Sequence, residues 1–302
     1  MSGTPAPPPA AEGAGGAHAT APHGRAGRNL PAALAVGLGL GAYVVATLVF
    51  WRFGFVLLIA LALALASIEL HNALRRIGMY PAVVPIVVGS VAIAIGSYLA
   101  GRQSPVVFST TSVLLAALAL TVVASLVWRM RGGAEGYVRD TAASLLIIAY
   151  VPLLGSFAAL ILAAPQDGVA RMILFLLVVV MNDTGGYVAG VLFGKHPMAP
   201  RISPKKSWEG FAGSLVFGVV AAVLMAVHGL GAPVWVGVLL GVCLVVAGTC
   251  GDLVESLIKR DLGIKDMSSF LPGHGGVMDR LDSLLLAAPV AWVIMYVLVP
   301  GG

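Results

Sequence analysis

Charge is what this sequence has least of. Only 10% of its 302 residues are charged, where soluble domains carry about 25%, so an ordinary water-soluble globule is excluded. Cysteine is nearly as scarce. Cys243 and Cys250 both lie in an apolar stretch, so they supply neither a disulfide framework nor a CxxC metal motif and read as buried thiols of a membrane helix. Aromatic residues make up 7% of the chain. Neither the basic stripe nor the interleaved aromatics of a nucleic-acid binder is present, so no nucleic-acid partner is expected. Large apolar residues are almost missing from residues 1–29, which are rich in Pro, Ala, Gly and His. Such a composition cannot bury a core and reads as a disordered tail. The apolar run begins only after it and no convincing cleavage site follows, so it is not a signal peptide.

What is present is apolar surface: 59% of the residues are hydrophobic. A membrane span needs roughly 20 apolar residues. Nine runs qualify: Leu30–Val49, Phe53–Leu70, Pro81–Ala100, Val106–Trp128, Thr141–Ala164, Val169–Phe193, Phe211–His228, Pro233–Cys250 and Leu284–Val299. The expected fold is all-α, a polytopic helical bundle of about nine transmembrane helices in the lipid bilayer. Residues 30–168 hold five spans and residues 169–302 form a C-terminal catalytic region. Only Phe50-Trp51-Arg52 separates the first two runs, which requires a tight hairpin. Lys and Arg set the orientation. Fifteen of the 18 fall on the side of the N-terminus, and only Arg52, Arg102 and Arg171 on the other. The N-terminus and both long polar loops are therefore expected to be cytoplasmic, in a multi-pass protein of the cell membrane.

The last polar segment runs from Gly251 to Ser283. Asp252, Glu255 and Lys259 are spaced i, i+3, i+7 and share a face if the eighth helix continues past Cys250. Asp279 and Asp282 share a face at the start of the ninth. Between them, Leu271 to Gly276 form a turn that can fold the two helix ends together. Charges beside apolar spans are costly to leave unpaired. Carboxylates from two helix ends, with Lys and Arg around them, suit Mg²⁺ carrying phosphates. The plainer alternative is a solvated, self-neutralising loop, and clustering at both helix ends weighs against it.

A second polar region begins inside the sixth run with Asn182-Asp183-Thr184-Gly185-Gly186-Tyr187, followed by Gly190, Gly194 and Lys195. An ionisable residue within a span is a functional candidate, and Asp183 is that residue. The glycines permit close backbone approach to a ligand. Ser203, Lys205, Lys206 and Ser207 lie at the mouth of the seventh helix, where free N–H groups suit a polyphosphate. Gly190 to Lys195 is one residue short of a P-loop and has His196 where Ser or Thr belongs. Trp208 reads as an interfacial anchor.

At these residues the chain resembles a known family. Ser256-Leu257-Ile258-Lys259-Arg260, Lys265-Asp266 and Pro272-Gly273-His274-Gly275-Gly276-Val277-Met278-Asp279-Arg280-Leu281-Asp282 look like the signature of the phosphatidate cytidylyltransferases, or CDP-diacylglycerol synthases. Ile202–Gly210 and Asn182–Lys195 resemble that family too. The likeness is strong over about the C-terminal 130 residues and elsewhere extends only to the pattern of spans.

The resemblance implies the reaction CTP + phosphatidate → CDP-diacylglycerol + pyrophosphate, a nucleotidyl transfer. The nucleophile is the lipid phosphate, which with a second pKa of about 6 is mostly dianionic in the cytosol and needs no strong base. Asp252 and Asp279 are expected to hold Mg²⁺, with Asp282 assisting or holding Arg280. Ser203, Lys205, Lys206 and Ser207 are expected on the CTP phosphates, with Lys195 in the same substrate-binding set. Lys259, Arg260 and Arg280 are expected on phosphatidate or the leaving pyrophosphate. Asp183 is either a ligand of a second cation or the partner of a lysine. His274 is expected to be structural or to hydrogen-bond a phosphate rather than act as a base. The resemblance also implies a homodimer.

Three rival readings are weaker. Asp167 to Arg171 falls one residue short of the CDP-alcohol phosphotransferase pattern and lacks its downstream aspartates. A CTP-dependent polyprenol or phytol kinase, or an isoprenoid-lipid-phosphate cytidylyltransferase, shares the logic of CTP at a membrane face, but the Lys259–Asp282 signature favours phosphatidate. A secondary transporter explains many spans and an intramembrane Asp183, yet no internal repeat is visible.

Overall fold

The computed structural model describes residues 30–101, 109–268, 270 and 275–299, with residues 30–37 as backbone only. The expected disordered tail lies outside these residues. Helices α1 Leu30–Phe50, α2 Arg52–Arg75, α3 Val83–Ala100, α4 Thr110–Met130, α5 Tyr137–Ile148, α6 Leu154–Leu162, α7 Gly168–Phe193, α8 Trp208–Leu230, α9 Val234–Asp261 and α10 Met278–Leu298 follow in order. A π-helical turn, Ala149–Leu153, joins α5 and α6 into one rod and contains Pro152. Proline removes a backbone donor and crowds the preceding turn, and a widened turn relieves both. Eight rods are long and apolar enough to cross a membrane, and the described part of α1, Leu38–Phe50, is apolar but shorter. The protein is therefore an all-α polytopic membrane fold, and a single residue, Trp51, turns α1 into α2.

Several helices extend beyond their apolar runs, three of them at the polar end that carries the site. α9 continues past Cys250 to Asp261, α10 begins at Met278 rather than Leu284, and α8 begins at Trp208 rather than Phe211. Hydropathy marks the part of a helix that meets lipid, whereas backbone hydrogen bonds continue wherever side chains find partners. The Glu255–Lys259 pair at i, i+4 supports the polar end of α9. The fourth rod begins at Thr110, with Ser109 accepting from the Ser112 N–H at 3.1 Å. Val106, its expected start, lies outside the described residues.

A small element not expected from the sequence links α7 to α8. Strands β1 (Pro197–Ala199) and β2 (Ser203–Ser207) pair antiparallel, Pro197 opposite Ser207. Runs this short carry no readable alternation.

α7, α8, α9 and α10 pack each against the next, and α10 also lies on α2, α6 and α7. α7 and α8 approach closely: a Cβ on Gly185 would come within 2.7 Å of the Gly213 carbonyl oxygen. The glycines of α7, read from sequence as room for a ligand, thus chiefly admit a neighbouring helix, as small residues do in membranes. Met172, Phe175, Leu240 and Leu244 fill the core around them. At one end of the bundle α7 begins and α10 finishes. There Arg171, 3% exposed, donates to Asp167 Oδ1 at 2.6 Å and to the Met295 carbonyl at 2.7 Å. The Asp167–Arg171 stretch is a clasp between helix ends, which agrees with setting the alcohol phosphotransferase pattern aside. The other end, where α2, α4, α7 and α9 finish, gathers the polar segments.

Candidate active site

A cavity of about 330 Å³ opens where β2, α7, α8 and α9 meet. Asp183, Ser203, Lys205, Lys206, Ser207 and Asp252 line it. The hairpin carries Ser203, Lys205 and Lys206 to its rim. Ser207 caps α8, its Oγ accepting from the Gly210 N–H at 3.1 Å. A hydroxyl that accepts in this way still has its own hydrogen to donate. Lys206 Nζ lies 2.5 Å from Asp252 Oδ2.

The carboxylates of Asp183, Asp252 and Asp282 are close enough to repel one another. Besides the Lys206 pair on Asp252, donors on Asp183 and Asp282 offset part of that repulsion. Asn182 Nδ2 donates to Asp183 Oδ1 at 3.0 Å, and the Ser283 N–H donates to Asp282 Oδ1 at 2.7 Å. The buried Asn182 Oδ1 has no hydrogen-bond partner. Among the described residues no three His, Cys, Asp or Glu side chains form a ready-made metal cage. Mg²⁺ needs none: it is usually held by one or two carboxylates, with substrate phosphates and water completing the shell. An oxygen-only, mutually repelling donor set with an orphaned amide oxygen beside it fits a hard cation.

A second cluster adjoins the first along α9 and α10. Glu255 is fully buried and ion-pairs with Lys259 one turn further on. Lys259 Nζ also donates to Asp279 Oδ1 at 2.9 Å, and Asp279 Oδ2 accepts from the Gly276 N–H at 2.8 Å and the Met267 N–H at 3.1 Å. Of the three carboxylates expected at a metal, Asp252 and Asp282 thus lie in the Asp183 group, while Asp279 is held by Lys259 and two backbone amides. The two clusters are coupled, because Asp282 acts electrostatically on Glu255.

The remaining expected site residues are dispersed. Arg280 is exposed and within electrostatic reach of Asp183. Arg260 Nε donates to the Ile202 carbonyl at 3.3 Å and ties the end of α9 to the hairpin. Lys195 is exposed and does not line the cavity. Its backbone N–H and that of His196 each donate to Glu209 Oε2 at 3.2 Å. His274 lies outside the described residues, as do Leu271 to Gly273.

Two residues from the N-terminal half reach this region and were not anticipated from the sequence. Glu69 of α2 is 6% exposed. Its carboxylate accepts from Ser268 Oγ at 2.6 Å and from the N–H groups of Val277 and Met278 at 2.9 and 2.8 Å. α10 has no side-chain cap of its own, so Glu69 provides one from another helix, where a negative charge also meets the positive helix end. The signal available in the sequence was a lone carboxylate within an apolar run. Tyr150, 7% exposed, sits in the π-helical turn. Its buried hydroxyl has no hydrogen-bond partner, and it feels the charges of Glu255, Asp282 and Asp252.

Gly276 separates two carboxylates. A Cβ there would come within 2.6 Å of Glu69 Oε2 and 3.0 Å of Asp279 Oδ2. Gly276→Ala should push both carboxylates aside and lower turnover by about 10–100-fold, since small displacements at a reacting centre carry such costs. Turnover of the purified variant measures this. A wild-type rate would show that the loop does not depend on the close approach.

Residues 32–298 match the Cytidylyltransferase family. The protein of Mycobacterium leprae named phosphatidate cytidylyltransferase is 47% identical, over 91% of this chain and 90% of its own length. Its namesake from Mycobacterium bovis is 42% identical, over 91% of this chain and 90% of its own. The one from Staphylococcus haemolyticus is 37% identical, over 52% of this chain and 59% of its own. The matched residues include the hairpin, the cavity and both carboxylate clusters, and this chain belongs to the cytidylyltransferase family.

Proposed function

We propose that this protein is a phosphatidate cytidylyltransferase, transferring CMP from CTP to phosphatidate to give CDP-diacylglycerol and pyrophosphate. The observation that carries the reading is one cavity combining Ser203, Lys205, Lys206 and Ser207 with Asp183 and Asp252. Relatives of that name, aligned over nine-tenths of the chain, support it. A phosphate oxygen of the lipid attacks the α-phosphorus of CTP, the α–β bridging bond breaks, and pyrophosphate leaves. The attacking phosphate is already ionised, so no base has to remove a proton.

The residues divide the work by charge. Lys205, Lys206, Ser203 and Ser207 bind the CTP phosphates, and Lys195, outside the cavity, is kept in the substrate-binding set on the family resemblance alone. Lys206 pairs with Asp252, so one short side-chain movement exchanges a carboxylate for a phosphate. Lys259, Arg260 and Arg280 serve the lipid phosphate and the departing pyrophosphate, and Lys259, paired with Glu255 on its own helix, also fixes α9 against α10 through Asp279. Asp252, assisted by Asp282, would hold Mg²⁺, and Asp183 a second cation; Asp279, expected with Asp252 on the metal, would have to leave Lys259 and its backbone donors to join them. Magnesium so held supplies charge neutralisation to the reacting phosphates. His274 is proposed to hydrogen-bond a phosphate or to be structural rather than to act as a base. The Lys and Arg distribution supports a cytoplasmic site in the cell membrane, and the family resemblance supports a homodimer.

The test offers labelled CTP and Mg²⁺ to the purified protein with phosphatidate, phytol and polyprenol side by side. Pyrophosphate release that depends on phosphatidate is expected. CDP formation with phytol or polyprenol would indicate a kinase instead, and uptake into vesicles without pyrophosphate release a transporter. Lys205 lines the cavity and is exposed. Lys205→Met should therefore raise KM for CTP by about 10–100-fold, the loss of one hydrogen bond to a charged group, without altering thermal stability. An unchanged KM would remove Lys205 from the nucleotide site.

A further inference from the structure

A second basin of about 640 Å³ lies at the same end of the bundle, between the close of α2 and the α4–α5 turn. His71, Arg75, Tyr80, Trp128, Arg131 and Asp140 line it, and the catalytic cavity shares none of them. Its arginines are of two kinds. Arg129 is committed: its guanidinium donates to the buried Asp140 Oδ2 at 2.7 Å and to the Glu135 carbonyl at 2.7 Å. Asp140 also receives Arg139 at 3.4 Å and the Tyr80 N–H at 3.0 Å, so the one acid lining the basin is already neutralised. Arg75 and Arg131 are exposed and, among the described residues, have no carboxylate within ion-pair distance. Each lies over an aromatic face instead, Arg131 4.3 Å from the centre of the Trp128 ring and Arg75 5.8 Å from that of Tyr80.

Guanidinium groups oriented on rings, with their donors outward, suit bidentate recognition of phosphate. A second observation points the same way. His71, 9% exposed, lines the basin, and its Nδ1 has no hydrogen-bond partner. A buried ring nitrogen in that condition calls for a partner, and in the tautomer that places the proton there it donates to a phosphate oxygen. The surroundings identify the source of the phosphate. Ile77, Val127, Met130 and Val138, close in sequence to the lining residues, are 43%, 57%, 65% and 80% exposed, apolar surface that suits acyl chains better than water. Trp and Tyr with Arg at the ends of spans are the residues found at headgroup level.

We propose that this basin binds the phosphate headgroup of an anionic membrane lipid at a site separate from the catalytic cavity. The full chain in detergent, titrated with dioleoyl-phosphatidylglycerol and followed by native mass spectrometry, tests it. The wild type should retain one more phosphatidylglycerol per chain than the Arg75→Gln/Arg131→Gln variant, whose Kd for that lipid should be at least about tenfold higher, as expected when paired charge-assisted contacts are lost. The Arg75→Lys/Arg131→Lys variant should restore part of the affinity and controls for folding. Equal retention by wild type and Gln variant would overturn the proposal. So would equal binding of dioleoyl-phosphatidylcholine, or displacement by millimolar inorganic phosphate, which would assign the basin to a soluble anion. Pyrophosphate release at saturating phosphatidate should be unchanged in the Gln variant. A parallel fall would place the basin on the catalytic path and overturn its separateness.

Discussion

Asp252→Asn is expected to lower CTP-dependent pyrophosphate release by at least about 100-fold, the scale seen when one electrostatic contact to a reacting group is removed. Asp252 is the carboxylate that joins the proposed nucleotide and metal groups. It lines the cavity with the hairpin serines and lysines, pairs with Lys206 at 2.5 Å, and lies within repulsive range of Asp183 and Asp282. Asparagine keeps the shape and one acceptor oxygen but loses the charge a divalent cation requires. The fold should tolerate it. The Asp252 side chain is 33% exposed and that of Lys206 is 23% exposed, so the lysine freed by the change still meets water. The assay is pyrophosphate release over a Mg²⁺ titration, beside a thermal melt in the same detergent. Near-normal turnover with an unshifted Mg²⁺ requirement would remove Asp252 from the metal site.

Glu69→Ala should destabilise the protein by on the order of 3 kcal/mol, because buried donors left without acceptors cost about 1–3 kcal/mol each. Three donors lose their acceptor: Ser268 Oγ and the N–H groups of Val277 and Met278. Both backbone groups belong to buried residues at the start of α10, so water replaces the carboxylate poorly. The effect should extend to turnover, since α10 carries Asp279, Arg280 and Asp282 in its first turns. Glu69→Gln separates the two consequences. It preserves the volume and one acceptor while setting an amide NH₂ against backbone donors. A Gln variant that melts normally yet turns over slowly would identify Glu69 as a positioning residue. Wild-type melting and wild-type turnover in the Ala variant would show that the tether is incidental.

These two residues differ in how they can be found. Asp252 is legible locally: it stands three residues before Glu255 and seven before Lys259, and α9 does continue through them as one helix. The membrane class, the succession of long apolar helices and the family resemblance are legible for the same reason. Hydropathy, helical periodicity and a motif are properties of neighbours along the chain, and the bilayer makes the first of them decisive.

The rest belonged to the tertiary structure. No local pattern joins Glu69 to Val277, 208 residues away, or brings Tyr150 to the carboxylates of α9 and α10. The arrangement that puts Asp282 with Asp183 and Asp279 with Lys259 depends on how α7, α9 and α10 are rotated against one another. That rotation is set by close packing, including the glycine contact between α7 and α8. Sequence alone determined which segments are helical and apolar, and which residues carry charge beside them. Only the packed structure decided which charges meet, because a buried carboxylate takes whatever donor the neighbouring helix presents, however distant along the chain.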